Sequence, residues 1–362
     1  MVSIISFLIF FSILGLLILV HEWGHFIMAR RVGVRVEKFS LGFGPSLLVR
    51  KRNGTEYSLS AVPLGGYVKL AGDNLEEYKG AADEYYSKPP KDRAKIVFFG
   101  PLLNYILGFL CFWFIFFVGY PSTTSKVGGL EDGMGAQEAG VLIGDKILAL
   151  DGQPVKLWED LQDIIQQKKA GDIIKATIER DGATFDLDIR IKEKEFEDAL
   201  KQKEKVGLIG ITRGDEFVIT KHGLAESFLL GLKKTWDLTD LTYRALWRMV
   251  TGRLSFKDSV TGPLGIFYIT NEAARLGIIA VLHLIAVLNV SLAIFNLLPF
   301  PVLDGGHIVL LAFEKIRGKA LSLKAERVIS QVGLSLIVTL ALVVTYNDIL
   351  KFGDKIFKWF GK

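Results

Sequence analysis

Four stretches of the chain carry no charged side chain: Met1 to Val20, Ile96 to Tyr120, Leu276 to Leu303 and Val328 to Asn347. At about 1.5 Å of rise per residue, roughly 20 apolar residues in a helix cover the ~30 Å of hydrocarbon in a bilayer. The pattern therefore predicts four transmembrane helices, over 1–20, 96–120, 276–298 and 328–347. Gly100, Pro101 and Asn104 interrupt the second span, and Asn289, Asn296, Pro299 and Pro301 the third. The first runs directly into His21 and Glu22. It lacks a basic leader and a small-residue cleavage site, which favours a retained span over a signal peptide.

Between the spans the periodicity changes. Ser46 to Arg52 and Thr55 to Val62 flank Asn53-Gly54, a strong hairpin signal, and Gly65-Gly66 permits another tight turn before Tyr67. A β-hairpin region is expected over 40–72. After the second span, Lys146 to Leu150 reads as a strand ending at the Asp151-Gly152 turn, and Leu161, Ile164 and Ile165 have helical spacing. Ile173 to Arg180 and Thr184 to Ile191 alternate around Asp181-Gly182. This order of strand, helix and hairpin resembles a PDZ domain of the circularly permuted bacterial protease type, expected over 125–213. In that resemblance Val206 to Thr212, with Ile209, Gly210 and Ile211, matches the loop whose backbone N–H groups cap a peptide carboxylate. Over 222–260, Leu224, Phe228, Leu232, Trp236 and Trp247 alternate with Lys233, Lys234, Asp237, Arg244 and Arg248, a pattern expected of amphipathic helices at the membrane surface.

Composition agrees with a membrane protein. Half of the 362 residues are hydrophobic and 23% are charged, which excludes a disordered chain and argues against an ordinary soluble enzyme. Lys plus Arg number 44 against 39 acidic residues, too small an excess to point to nucleic acid. Position says more. Arg30, Arg31, Arg35, Arg50, Lys51 and Arg52 follow the first span, and Lys315, Arg317, Lys319, Lys324 and Arg327 lie between the third and fourth. Both loops are expected on the cytoplasmic side, placing the PDZ-like domain and both termini outside. Lys351, Lys355, Lys358 and Lys362 pull the other way. Cys111 is the only cysteine, which excludes an intrachain disulfide and any Cys-cluster metal site.

The chemistry concentrates in His21-Glu22-Trp23-Gly24-His25. Histidines at i and i+4 on a helix share a face and can bind one zinc, with the Glu beside them as general base. Three ionisable groups at the end of an apolar span are costly unless they act together. Catalytic zinc usually has three protein ligands, so a third is required. Asp304, His307 and His283 are the candidates, the first two at the end of Asn296-Leu-Leu-Pro-Phe-Pro-Val-Leu-Asp-Gly-Gly-His307.

Together, HEWGH at 21–25, NLLPFPVLDGGH at 296–307 and the intervening PDZ-like domain resemble the bacterial site-2 protease family, intramembrane zinc metalloproteases of the RseP type. The similarity extends through GVRVEKFSLGFGP at 33–45, PLGGYVKLAG at 63–72, GPLLN at 100–104, TGPLGI at 261–266 and EKIRGKALS at 314–322. Better-known members carry two PDZ domains; one is found here. The resemblance implies a polytopic α-helical protein whose membrane core is built from 1–120 and 276–350, with an LDG segment at 303–305. It implies one Zn²⁺ per chain on His21, His25 and Asp304, with Glu22 as the base. It assigns Asn296 to holding the substrate backbone, a role Asn104 shares on a weaker claim. The strand region at Gly65, Gly66 and Tyr67, and the loop at Ile209, Gly210 and Ile211, are the expected substrate contacts. The activity implied is regulated intramembrane proteolysis of single-pass membrane proteins, an anti-sigma factor or signal-peptide remnants, in the bacterial inner membrane with the active site toward the cytoplasm. The rival readings are another membrane H-E-x-x-H protease and a non-catalytic binding or quality-control protein that captures chain ends.

Overall fold

The computed structural model describes residues 4–197, 203–319 and 322–360. In chain order the first membrane segment has α1 (Ile4–Arg31), β1 (Val36–Arg52), β2 (Thr55–Leu70) and α2 (Pro90–Val118). The inserted region contains β3 (Tyr120–Thr123), β4 (Val127–Leu130), α3 (Gly135–Glu138), β5 (Lys146–Leu150), β6 (Gln153–Pro154), α4 (Trp158–Gln166), β7 (Ile173–Arg180), β8 (Ala183–Arg190), β9 (Lys192–Glu197), β10 (Lys203–Leu208), β11 (Ile211–Arg213) and β12 (Phe217–Thr220). The second membrane segment has α5 (Leu224–Val250), α6 (Phe256–Ser259), α7 (Pro263–Leu276), α8 (Ile278–Asn296), α9 (Asp304–Arg317) and α10 (Leu323–Phe360). Contacts divide the chain into a membrane unit, 1–115 with 225–362, and an inserted unit, 116–224.

In the membrane unit α1, α2, α8 and most of α10 are long and apolar enough to cross a membrane. The first helix continues from its apolar part through His21–His25 without a break and ends on Arg30 and Arg31, cations that suit the negative end of a helix dipole. The second continues through Pro101. Pro101 offers no N–H, so the Val97 carbonyl loses its helical donor.

β1 and β2 form a long hairpin closed at Asn53-Gly54 and folded over midway. Residues 46–52 pair with 55–60, while 38–41 have partners on both sides, 56–59 on one and 66–69 on the other. The segments therefore lie in the order 46–52, 55–60, 36–41, 66–70. The chain turns back between Ser60 and Gly66, with Gly65 at φ +130°, where the sequence permitted a turn. Phe26 and Met28 of α1 share a buried cluster with Val36, Phe39 and Leu70, which seats this sheet on the end of the first helix.

The segment 222–260 is chiefly one helix, α5. Along it Phe228 packs edge-on against Phe109 and Trp113, and the Tyr105 and Thr239 hydroxyls lie 2.9 Å apart. As α2 positions rise, their α5 partners fall, so this part of α5 runs antiparallel to α2. The buried positions of α5 are the small residues Ser227, Gly231 and Thr235, with Gly231 against Trp113, while Leu224, Leu232, Trp236 and Trp247 of the apolar stripe stay exposed. α7, absent from the sequence reading, packs Phe267 on Phe7 and Phe10 of α1 at 4.9 and 5.5 Å.

The inserted unit holds a four-stranded sheet in the order β6-β5-β7-β8, with α4 between β6 and β7 in the chain. The hairpin turns at Asp151-Gly152 and Asp181-Gly182 fall where the sequence placed them. Ile147, Leu150, Ile174, Ile178 and Ile189 are fully buried in its core. Asp145, 1% exposed, is gripped by both nitrogens of the Arg180 fork at 2.7 Å and by the Leu142 N–H at 2.8 Å.

Candidate metal centre

α1 places His21 and His25 one turn apart, and their Nε2 atoms lie 3.2 Å from each other. Asp304 begins α9. The third span ends at Asn296, the chain crosses Leu297 to Leu303 irregularly with Val302 at φ +76°, and helix restarts at Asp304. Its carboxylate thus sits in the first turn of a helix, where a negative charge is favoured. Gly305 fits against the Leu297 and Leu298 carbonyls, where a Cβ would collide with backbone. Asp304 Oδ2 lies 3.1 Å from His21 Nε2 and 3.6 Å from His25 Nε2.

Donor atoms about 2.0–2.1 Å from one tetrahedral ion stand roughly 3.3–3.4 Å apart, and the three observed separations bracket that value. His25 Nδ1 lies 2.9 Å from the Ile96 carbonyl. An N–H there leaves Nε2 with a bare lone pair facing its neighbours. Asp304 Oδ2 is buried without a hydrogen-bond donor. Two imidazole lone pairs and an orphan carboxylate oxygen converging on one point fit a zinc ion. Among the described residues these three form the group of potential ligands within 4.8 Å of one another. His307 lines the adjoining cavity, and His283 packs edge-on against Phe112 on α8.

Glu22 follows His21 and lines a cavity of about 300 Å³ together with His25, Asp304, His307, Val68 and Leu70. The Val68 N–H faces its carboxylate. The outward N–H groups of 66–70 therefore belong to the even positions, and the Leu70 N–H reaches Asp73 Oδ2 at 2.9 Å while the Ala71 N–H turns inward to the Arg35 carbonyl. Gly66 packs on Glu22 Cγ and Ile18, so the sheet edge runs beside the base. Tyr67 stacks on Phe43 at 6.1 Å. Asn296 ends α8 half-buried, just before the carbonyls that seat Gly305, and is not among the cavity-lining residues.

Three features of the centre were not read from the sequence as parts of it. The Ile96 carbonyl holds His25. Gly24 and Gly100 meet where α1 crosses α2: a Cβ on Gly24 would strike the Phe99 carbonyl, and one on Gly100 both imidazoles. Arg93 forms a buried ion pair with Glu314 on α9 and lies over the rings of Tyr85 and Tyr86 at the far wall of the cavity. The breaker Gly100 was the available signal for the second; the others depend on packing between distant segments.

In the inserted unit, Ile209, Gly210 and Ile211 line a groove of about 600 Å³ with Trp158, Leu161 and Ile165 of α4. Gly210 has φ +83° and abuts Met134. The Ile209 and Gly210 carbonyls accept from Ala136 and Glu131, fixing the loop at one end of the groove.

Residues 9–340 match Peptidase family M50. The chain is 35% identical over 358 residues to "Putative zinc metalloprotease Atu1380" of Agrobacterium fabrum, with 94% of each chain covered. It is 26% identical over 429 residues to "Zinc metalloprotease RasP" of Oceanobacillus iheyensis, covering 96% of this chain and 99% of that one. Among solved structures, the PDZ domain of an SdrC-like protein from Listeria monocytogenes is 26% identical and covers 26% of this chain and 90% of its own, with a TM-score of 0.21. A match through almost the whole length, embracing the H-E-x-x-H helix, the inserted domain and the helix that begins at Asp304, means that the chain belongs to peptidase family M50, the site-2 protease family of membrane zinc metalloproteases.

Proposed function

We propose that this protein cleaves single-pass membrane proteins within or beside their transmembrane segment, with one zinc held by His21, His25 and Asp304. The observation that carries the proposal is the placement of Glu22 between the three converging donors and the edge segment 66–70. A zinc ion held there would acidify a water molecule to a pKa of about 7 and polarise a carbonyl oxygen. Glu22 is the group placed to hold a proton at its carboxylate and pass it to the leaving amine. Ile96 and Gly100 keep the imidazoles in place while this happens.

A substrate helix hides its peptide bonds and has to be unwound. The edge at Gly66 and Val68, beside Tyr67, offers an extended substrate a strand to pair with, immediately next to Glu22. Asn296, with a donor and an acceptor, holds the substrate backbone. The inserted domain receives or filters the outer part of the substrate through the groove at Ile209–Ile211. Short-loop charge supports a centre toward the cytoplasm and this domain outside, in the bacterial inner membrane. The substrate class this suits is an anti-sigma factor already trimmed outside, or a signal-peptide remnant.

Glu22→Gln tests the reading. The variant should keep its zinc and lose about 10²–10⁴-fold in turnover of a model transmembrane substrate, because proton transfer fails while ligation does not. Undiminished cleavage by the zinc-loaded variant refutes the mechanism.

A further inference from the structure

His25 has its second ring nitrogen on the Ile96 carbonyl, but His21 Nδ1 is buried with no partner. Metal-ligating histidines almost always donate that second N–H, which fixes the tautomer and the ring. The second orphan in this region is Asn104, 0% exposed, with both Oδ1 and Nδ2 unpartnered. An amide with neither group satisfied inside a membrane protein is costly, so a polar partner is called for.

The backbone brings the two to one level. α1 and α2 run antiparallel where they meet, with His25 at Ile96 and His21 at Gly100. Gly100, Asn104 and Gly108 follow at i, i+4 and i+8 on one face of α2; Gly100 abuts both imidazoles and Gly108 abuts Ala286 and Val290 of α8. Side chains on a helix lean toward its N-terminus. His21 therefore leans toward the level of Asn104, and Asn104 leans back toward Gly100 and the imidazoles.

We propose that Asn104 is the positioning residue for His21, accepting the imidazole Nδ1–H on its amide oxygen through one buried water. Such a water has the two or more polar partners it needs. Asn104 thereby does for His21 what the Ile96 carbonyl does for His25, and neither touches substrate. This inference rests on His21 being a zinc ligand.

The test uses the full-length protein in nanodiscs, loaded with zinc. Asn104→Leu removes the acceptor at similar volume and should weaken zinc binding, measured by chelator competition, by about 10–100-fold. Asn104→Asp, neutral when buried, keeps a carbonyl acceptor and should restore most of the affinity. With nitrogen-15 histidine, the slowly exchanging Nδ1–H signal of His21 should be lost in Asn104→Leu, while that of His25 stays, which reports an intact contact between α1 and α2. Unchanged affinity and His21 signal in Asn104→Leu overturn the proposal. So does equal loss of both histidine signals with no rescue by Asp, or the same loss from Asn289→Leu, since Asn289 Oδ1 is the neighbouring buried acceptor on α8 without a partner; either would make Asn104 a packing residue. His21→Ala serves as the separate control: if it keeps its zinc, the ligand assignment itself fails.

Discussion

His21, Glu22 and His25 share one helical turn, so single substitutions can separate ligation from proton transfer. His21→Ala, His25→Ala or Asp304→Ala should each lower the zinc content of the purified protein, whereas His283→Ala and His307→Ala should leave it near one per chain. Full zinc in Asp304→Ala with loss in His307→Ala would move the third ligand one turn along α9. Of the proposed ligands, the two histidines follow from local helix geometry, whereas the residues alone left Asp304, His307 and His283 open and the family resemblance singled out Asp304. The residues that hold them were not legible, because the Ile96 carbonyl and the Val68 N–H are backbone groups delivered by packing. Asp348 illustrates the same limit. It is fully buried on α10 and accepts from the Gly262 and Gly265 N–H groups at 3.0 Å, capping α7 from a distant part of the chain. Asp348→Ala orphans both donors, at about 1–3 kcal/mol each, and should lower the midpoint of thermal unfolding in detergent, with Asp348→Asn falling between.

Among elements, the folded hairpin carries the sharpest consequence. Segment 66–70 is one edge of the sheet, while Ser58 and Ser60 lie inside it, 8% and 5% exposed. Proline at Ser58 or Ser60 should reduce the yield of folded protein. Proline at Val68 removes the N–H that faces Glu22, and should slow cleavage while zinc is retained. Substrates with a helix-breaking Gly or Pro in the transmembrane segment should be cut faster and should partly rescue Val68→Pro; equal rates for both substrate types would place unwinding elsewhere. The sequence contained the turn residues Asn53-Gly54 and Gly65-Gly66, but the order of the segments depends on folding the hairpin over, which no local pattern encodes. Long apolar runs announced α1, α2, α8 and α10. α7 and α9, short and bounded by glycines and prolines, lack such a run. The packing of α5 on α2 was not legible, because the positions that are buried, Ser227, Gly231 and Thr235, are small and carry no apolar signal.

At the scale of the molecule, each of the two units has its own buried cluster. Burial alone would raise the pKa of Asp145, but the Arg180 fork and the Leu142 N–H outweigh it and hold the carboxyl below its ordinary value of 3.8. A depressed folded pKa stabilises above the unfolded value and is lost as pH falls through the folded one. The inserted unit should therefore keep this contribution at neutral and mildly acid pH and lose it only below 3.8. Arg180→Ala leaves the burial without the fork, so acid unfolding followed by Trp158 fluorescence should begin at higher pH than in the wild type. A coincident acid transition in the two proteins would mean that the pair adds nothing.

The insertion itself bears on selectivity. The proposed chemistry draws on the membrane unit alone, because His21, Glu22, His25, Asp304 and the edge 66–70 all belong to it. The inserted unit has a separate buried core and a groove whose loop is tied down at Ile209 and Gly210. Deleting 125–213 should then leave zinc content near that of the wild type while relaxing the preference for substrates trimmed outside, so that one with a bulky outer domain is cut at a rate approaching its trimmed form. If the groove captures chain ends, narrowing it from α4 by Gln162→Trp should reduce cleavage of trimmed substrates that end in a free carboxylate and spare the same substrates with an amidated end. If the domain acts by size alone, both end groups should respond alike. Unchanged selectivity after the deletion, with zinc retained, would reduce the domain to a spacer and leave substrate choice to the membrane unit.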